Sequence, residues 1–352
     1  MQQIMGGSRT GDLEDAVKGI TQPDFLIMIT SDKETFREKV EELESLFPQI
    51  PSIACVGQGY YGTQVIENGV IVIAMKGVKA ITNVLTDVST MPLRRIQRLE
   101  EDVQKIGGNG NNTVCIDLCS SNDECVLTTM NSVLRKHKIE LTGGTVWEGL
   151  VAANGVVYED ASAYALVRNL SGKVKVYKEN LYLPTETKYI VTRADTSKNM
   201  LYELDGRPVA DVYKEKTHVS SDKIAEQTFE NPFGRVVGDE IYIVSIKEVV
   251  DQNYFSCYRK ISRMDALNIL ELGDYEQIID DTIHSIRSDF PKVSGVFSVN
   301  CILRYLMFKQ KNFAGTYFSK MAQLGMHAGL IGLGEHYNGN FVNQTLSCVV
   351  FE

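Results

Sequence analysis

Short apolar runs alternate with longer amphipathic stretches along this chain, and three times they follow the same order. The first series starts with FLIMIT (Phe25 to Thr30). It continues through KETFREKVEELESLF, whose apolar positions recur at helical spacing, to IACV, the glycine-rich GQGYYG and the β-branched run GVIVIAM. A second begins at TVCIDL (Thr113 to Leu118), passes through ECVLTTMNSVLRKH to IELTGG and a glycine loop around Gly149 and Gly155, and closes with SAYALV. A third comprises GVFSVNC (Gly295 to Cys301), the helix-like NFAGTYFSKMAQLG, AGLIGL, the loop GEHYNGN and TLSCVVFE. Continuous apolar runs of four to eight residues suit buried strands, and a 3.6-residue period suits a helix with one face on a core. Each series therefore predicts strand, helix, strand, glycine loop, strand.

The intervening segments add further elements. PLRRIQRLEEDVQKIG carries Leu93, Ile96, Leu99 and Val103 at helical spacing and stops at Gly107 and Gly108, a glycine exit from a helix. YIVTRADTSKNMLYELDGRPVADVYKE reads as two strands around a polar turn, an Asp-Gly turn at Asp205 and Gly206, and a helix opened by Pro208. DEIYIVSIKEV and YFSCYRKI read as strands, and YEQIIDDTIHSIRSDF as a helix with Ile278, Ile279, Ile283 and Ile286 inward. The expected fold class is α/β of mixed α+β type. Repeated strand-helix-strand-loop-strand units form twisted sheets covered by helices in two domains, residues 24–205 with two units and residues 206–352 with the third.

Composition narrows the function classes. The 352 residues are 43% hydrophobic and 23% charged, ordinary for a globular protein, and the formal net charge is -9. A polyanion partner needs clustered Lys and Arg, so nucleic acid is not expected. The opening MQQIMGGSRT lacks the basic end and apolar run of a signal peptide, and no stretch reaches the roughly 18 unbroken apolar residues of a membrane span, so a cytoplasmic protein off the membrane is expected. Seven scattered cysteines, mostly in apolar runs, suit reduced core thiols, and their spacing lacks the pairs of a zinc site.

GQGYYG (Gly57 to Gly62) matches half of the dinucleotide fingerprint. Pyrophosphate binding requires a helix to begin at such a loop, whereas TQVIENGVIVIAM continues as strand, Asn-Gly turn and strand, so NAD binding is not expected. Among candidate functional residues, Cys301 ends an apolar strand, Arg304 follows three residues on, and Glu335 lies in the third glycine loop. A guanidinium grips a carboxylate and a carboxylate accepts an ammonium, so these residues would form a clamp for an amphoteric ligand. Of the five histidines, His336 is the nominee for an axial haem or metal ligand. Cys301, His336 and Asn340 also supply the residue types of a thiol hydrolase, the competing enzyme reading. Three comparable loops at strand ends point to a shared binding cleft.

Four stretches, in order, resemble the FIST family. VTRADTSKNMLYELDGRPVADVY resembles the end of its N-terminal half, LTGGTVWEG its Gly-Gly stretch, FSVNCILR its Phe-Ser-x-Cys-x-x-Arg element, and GLGEHYNGNFVNQTLSCVVF its closing Gly-Glu loop. The chain departs from the pattern at Leu303, where glycine is common, and at Asn343. The resemblance spans about Asp24 to Phe351 and implies a sensory module, without enzymatic activity, that binds a small ligand such as an amino acid. It implies ligand-binding residues Cys301, Arg304, Gly334, Glu335, Asn340, Asn343, Gly143, Gly144 and Thr145. No cofactor is expected, although some members bind haem and sense nitric oxide. The implied partner is a separate signalling protein, such as a histidine kinase or a component of a chemoreceptor pathway.

Overall fold

Every residue of Phe25–Thr30, Thr113–Cys119 and Gly295–Cys301 is buried, as expected of strands covered on both faces. These runs form the centres of three six-stranded sheets in a computed structural model that describes residues 1–121 and 123–352. Two compact units result: residues 1–179, 279–341 and 345–352, and residues 180–278 and 342–344.

In the larger unit the first sheet has the order β1 (Gln2–Ser8), β6 (Val70–Lys76), β2 (Phe25–Thr30), β3 (Ser52–Val56), β10 (Leu150–Ala153), β11 (Val156–Glu159). The second runs β7 (Val78–Thr86), β12 (Ala161–Asn169), β8 (Thr113–Cys119), β9 (Glu140–Thr145), β24 (Glu335–Tyr337), β25 (Asn340–Val342). The third runs β13 (Val174–Asn180), β26 (Thr345–Phe351), β22 (Gly295–Cys301), β23 (His327–Gly332), β4 (Gln58–Tyr61), β5 (Gln64–Ile66).

One set of pairing senses recurs in all three. The central strand is parallel to the strand that follows its helix, as β2 is to β3, β8 to β9 and β22 to β23. On its other side it is antiparallel to β6, β12 or β26. Phe25–Thr30 and Thr113–Cys119 thus hold the same place in their sheets.

The expected glycine loops are not loops. Each is a β-hairpin that leaves its own sheet and adds to another, because its backbone groups find an open strand edge there. After β3 the chain crosses to pair β4 with β23; after β9 it pairs β10 with β3; after β23 it pairs β24 with β9. GQGYYG is therefore mostly strand, and its glycines answer packing: a Cβ on Gly59 would lie 2.5 Å from Ile71 Cγ1, and one on Gly57 2.5 Å from Leu330 Cδ1. In this unit three strands escaped the sequence reading, β1, β7 and β13, and each borders one of its sheets.

Alternate residues of the sheets, among them Ile27, Ile29, Ile116, Leu118, Phe297, Val299 and Phe351, form one shared core. Helices cover the outer faces. α1 (Leu13–Val17) and α2 (Phe36–Leu46) pack on Leu26 and Met28 of the first sheet. α3 (Ile96–Ile106) and α4 (Asp123–Leu134) pack on Cys115 and Cys119 of the second. α3 ends as expected at Gly107 in the left-handed region, but begins only at Ile96, so Leu93 lies outside it, 63% exposed.

The smaller unit is an antiparallel sheet ordered β18 (Glu240–Val244), β17 (Phe233–Val237), β21 (Ala266–Leu272), β14 (Tyr182–Asp195), β15 (Met200–Leu204), β20 (Tyr254–Cys257), β19 (Ile246–Val250), with β16 (Arg207–Pro208) on β15. α5 (Val209–Thr217) packs Tyr213 edge-on against Phe255, and α6 (Ile224–Gln227) adds Ile224 to the same core. Pro208 is the residue before α5 rather than its first helical position. α7 (Tyr275–Asp289) belongs from Ile279 onward to the larger unit and buries Ile279, Ile283 and Ile286. α8 (Ile302–Gln310) and α9 (Ala314–Ala322) belong to the larger unit and lie over the third sheet, where Phe318 approaches Tyr60 to 4.9 Å.

Candidate functional site

Ligands of α/β sheets favour the carboxyl ends of parallel strands, where chains diverge into separate connections. β22 and β23 end in such a place. Cys301 closes β22 and immediately precedes the first turn of α8, with φ -57° and ψ 137°. One turn on, Arg304 is buried among aromatic rings, its guanidinium 5.0 Å from the centres of Phe308 and Tyr317. Nη2 pairs with the buried carboxylate of Glu179 on β13. Nε and Nη1 of Arg304 and Oε2 of Glu179 have no hydrogen-bond partner among the described residues. Burial alone would lower the arginine's pKa, but Glu179 reverses this and holds the cation above its ordinary range.

The crossing from β23 to β24 is pinned by two backbone bonds: Leu333 N–H donates to Thr145 O at 2.9 Å and Thr145 N–H to Gly334 O at 3.0 Å. Pairing then sets Glu335 opposite Gly144 and His336 opposite Gly143. Both glycines allow close approach. A Cβ on Gly143 would sit 2.1 Å from Asp117 O and Oδ1, and one on Gly144 2.5 Å from Gly334 O.

Alternation along β24 sends Glu335 and His336 to opposite faces. Glu335 Oε2 accepts from the Thr345 backbone N–H at 3.0 Å and its hydroxyl at 2.7 Å, and the Cys301 thiol donates to the same carboxyl group. Burial pushes its pKa up to about 8 against the downward pull of those bonds and of Arg304. Glu335 is thus mostly a neutral acid at pH 7, able to donate as well as accept.

His336 bridges two carboxylates, with Nδ1 2.8 Å from Asp117 Oδ2 and Nε2 2.9 Å from Asp123 Oδ1. Burial alone would lower its pKa, yet the two aspartates raise it to about 10. Asp123, at the start of α4, also accepts from the Thr145 hydroxyl at 2.9 Å. A protonated ring bonded at both nitrogens has no lone pair for iron, so His336 does not fit the axial-ligand reading. Nor does the thiol–imidazole pair of a hydrolase form, since Cys301 bonds to Glu335 and the ring is held between aspartates.

The structure therefore gathers Cys301, Arg304, Gly334, Glu335, Gly143, Gly144 and Thr145 around one crossing. Asn340 lies on β25, and Asn343, buried, falls in the smaller unit. Sequence reading missed Glu179, Asp117, Asp123 and Thr345. Asp117 carried a signal, a charge inside the apolar run TVCIDL that burial would force to find a partner. Glu179 carried none, because VKVYKEN looks like a solvated strand until its edge position is known.

Comparison with known families agrees with this order of elements. A FIST N domain model matches residues 24–207 and a FIST C domain model matches residues 210–338. A search of curated proteins returns no match. With most of its length spanned by these two domains, the chain belongs to the FIST family, whose domains are associated with sensory signal transduction.

Proposed function

We propose that this protein is a cytoplasmic sensory module that binds a small polar metabolite of the amino-acid class beside Arg304 and Glu335, and passes the signal to a separate protein such as a histidine kinase or a chemoreceptor pathway component. The observation that carries the reading is the sealed Arg304–Glu179 pair. It keeps donors and an acceptor unused, close to a carboxyl group held neutral. Each buried polar group without a partner costs about 1–3 kcal/mol, so a ligand that supplies partners gains that much per group. The pair carries no net charge, which favours a zwitterion over a ligand with one uncompensated charge. Because these side chains are sealed, entry requires the covering segment to move, and that movement is what a partner would read. A thermal-shift panel of amino acids and related metabolites tests the reading. A stabilising ligand should lose most of its shift in Glu335→Gln and in Arg304→Lys, each compared with its own unliganded baseline. Equal shifts in all three proteins would remove these residues from the site.

A further inference from the structure

The segment 92–98, which enters α3 at Ile96, lines two recesses of the larger unit. One is an apolar groove of about 410 Å³ lined by Pro92 and Leu93 and by Cys125, Thr128 and Ser132 of α4, with Glu124 also on its wall. The other, of about 270 Å³, is lined by Asn83, Thr86, Tyr158, Arg95 and Arg98. Leu93 is 63% and Met91 52% exposed, because α3 starts too late to turn Leu93 inward. The neighbouring cations differ in their commitments. Arg94 bonds to Asp87 at 2.7 Å and Arg98 stands 3.9 Å from Asp102, whereas Arg95 has no side-chain hydrogen bond or ion pair among the described residues.

Two large exposed apolar side chains, an apolar groove lined by one of them, Leu93, and an uncommitted guanidinium two residues on are a place for a partner in a chain of net charge -9. We propose that this surface docks the partner protein, through a segment that places an apolar side chain in the groove and a carboxylate in the Arg95–Arg98 recess. The proposal rests on the reading that the signal passes to a separate protein. Apolar anchors beside arginine are the chemistry of interface hot spots, and a planar guanidinium selects a carboxylate through paired N–H donors. The recesses are concave and Glu124 stands on the groove wall, which favours a protein segment over an anionic membrane surface.

Cys125 supplies a reporter, since it is exposed and the other six cysteines are buried. Twelve-residue peptides would be selected from a phage-displayed library on the whole protein, then tested for affinity and for protection of Cys125 from iodoacetamide. The expected peptides combine an apolar residue with Asp or Glu and slow Cys125 alkylation at least five-fold. They should bind at least ten-fold more weakly to Leu93→Ser and to Arg95→Glu, both surface changes. Exchanging the peptide's acid for Lys should restore binding to Arg95→Glu. Selected peptides that bind both variants with wild-type affinity, or a library that gives no enrichment, would overturn the proposal. So would phosphatidylserine vesicles whose binding is lost in Arg95→Glu while peptide binding is not. Failure of the metabolite reading is separately visible, because Glu335→Gln would abolish a ligand response without changing peptide affinity.

Discussion

Glu179→Gln keeps the shape of the side chain and removes only its charge, leaving the Arg304 cation in a water-excluded interior with no ionic partner. Breaking one member of a buried pair costs about 3–5 kcal/mol, mostly from the charge left behind. For a unit of roughly 250 residues, at about 2–4 °C per kcal/mol, the midpoint of thermal unfolding should fall by about 6–20 °C. The double variant Glu179→Leu/Arg304→Met replaces the pair by apolar groups of similar bulk and should recover most of that loss. Trp147, the single tryptophan, donates its indole N–H to Ile331 O at 2.7 Å and so reports on the larger unit by fluorescence during urea or thermal unfolding. A Glu179→Gln protein within about 1 kcal/mol of wild type, or a double variant no more stable than the single one, would refute the reasoning.

Two pKa shifts predict how stability depends on pH. Glu335 is raised from 4.5 to about 8 and His336 from 6.5 to about 10. A raised folded-state pKa gives stability that is complete below the unfolded value and lost as pH climbs through the folded one. The urea midpoint should therefore decline from about pH 4.5 to 10; Glu335→Gln should flatten the part below about pH 8 and His336→Gln the part above about pH 6.5. Gly143→Ala should destabilise by about 1–3 kcal/mol or prevent folding, because its Cβ would strike the Asp117 backbone, while Gly315→Ala in α9, with open space around it, should gain about 0.5–1 kcal/mol. Calorimetric titration with NAD should give no binding heat, since the glycines of GQGYYG serve strand packing; saturable heat lost in Gly59→Val would contradict this.

Most central strands and helices were legible because burial on two faces leaves a continuous apolar run and burial on one leaves a helical period. FLIMIT and TVCIDL had little else to become. Border strands were harder: VKVYKEN carries two lysines and leaves Lys175 exposed, and only its place beside β26 reveals that Glu179 is buried. The exchanged hairpins were read as loops because Gly57, Gly59 and Gly334 signal a turn in isolation, whereas Gly57 and Gly59 here make room for the side chains of Leu330 and Ile71. At the site, Glu335 and Arg304 stood out as charges beside apolar strands. What alternation along a three-residue strand conceals is the opposite fate of the adjacent Glu335 and His336, one toward Thr345 and Cys301, the other between two aspartates.

The central claim is that Glu335 and Arg304 meet a small ligand inside the protein. Isothermal titration of the most stabilising metabolite, at pH 8 in buffers of different ionisation enthalpy, tests it most directly. A ligand that touches Glu335 must change the proton occupancy of a group poised near pH 8, so the apparent binding enthalpy should vary with the buffer for wild type and become constant in Glu335→Gln. Wild-type binding whose enthalpy does not vary with the buffer, together with unchanged affinity in Glu335→Gln, would contradict the claim.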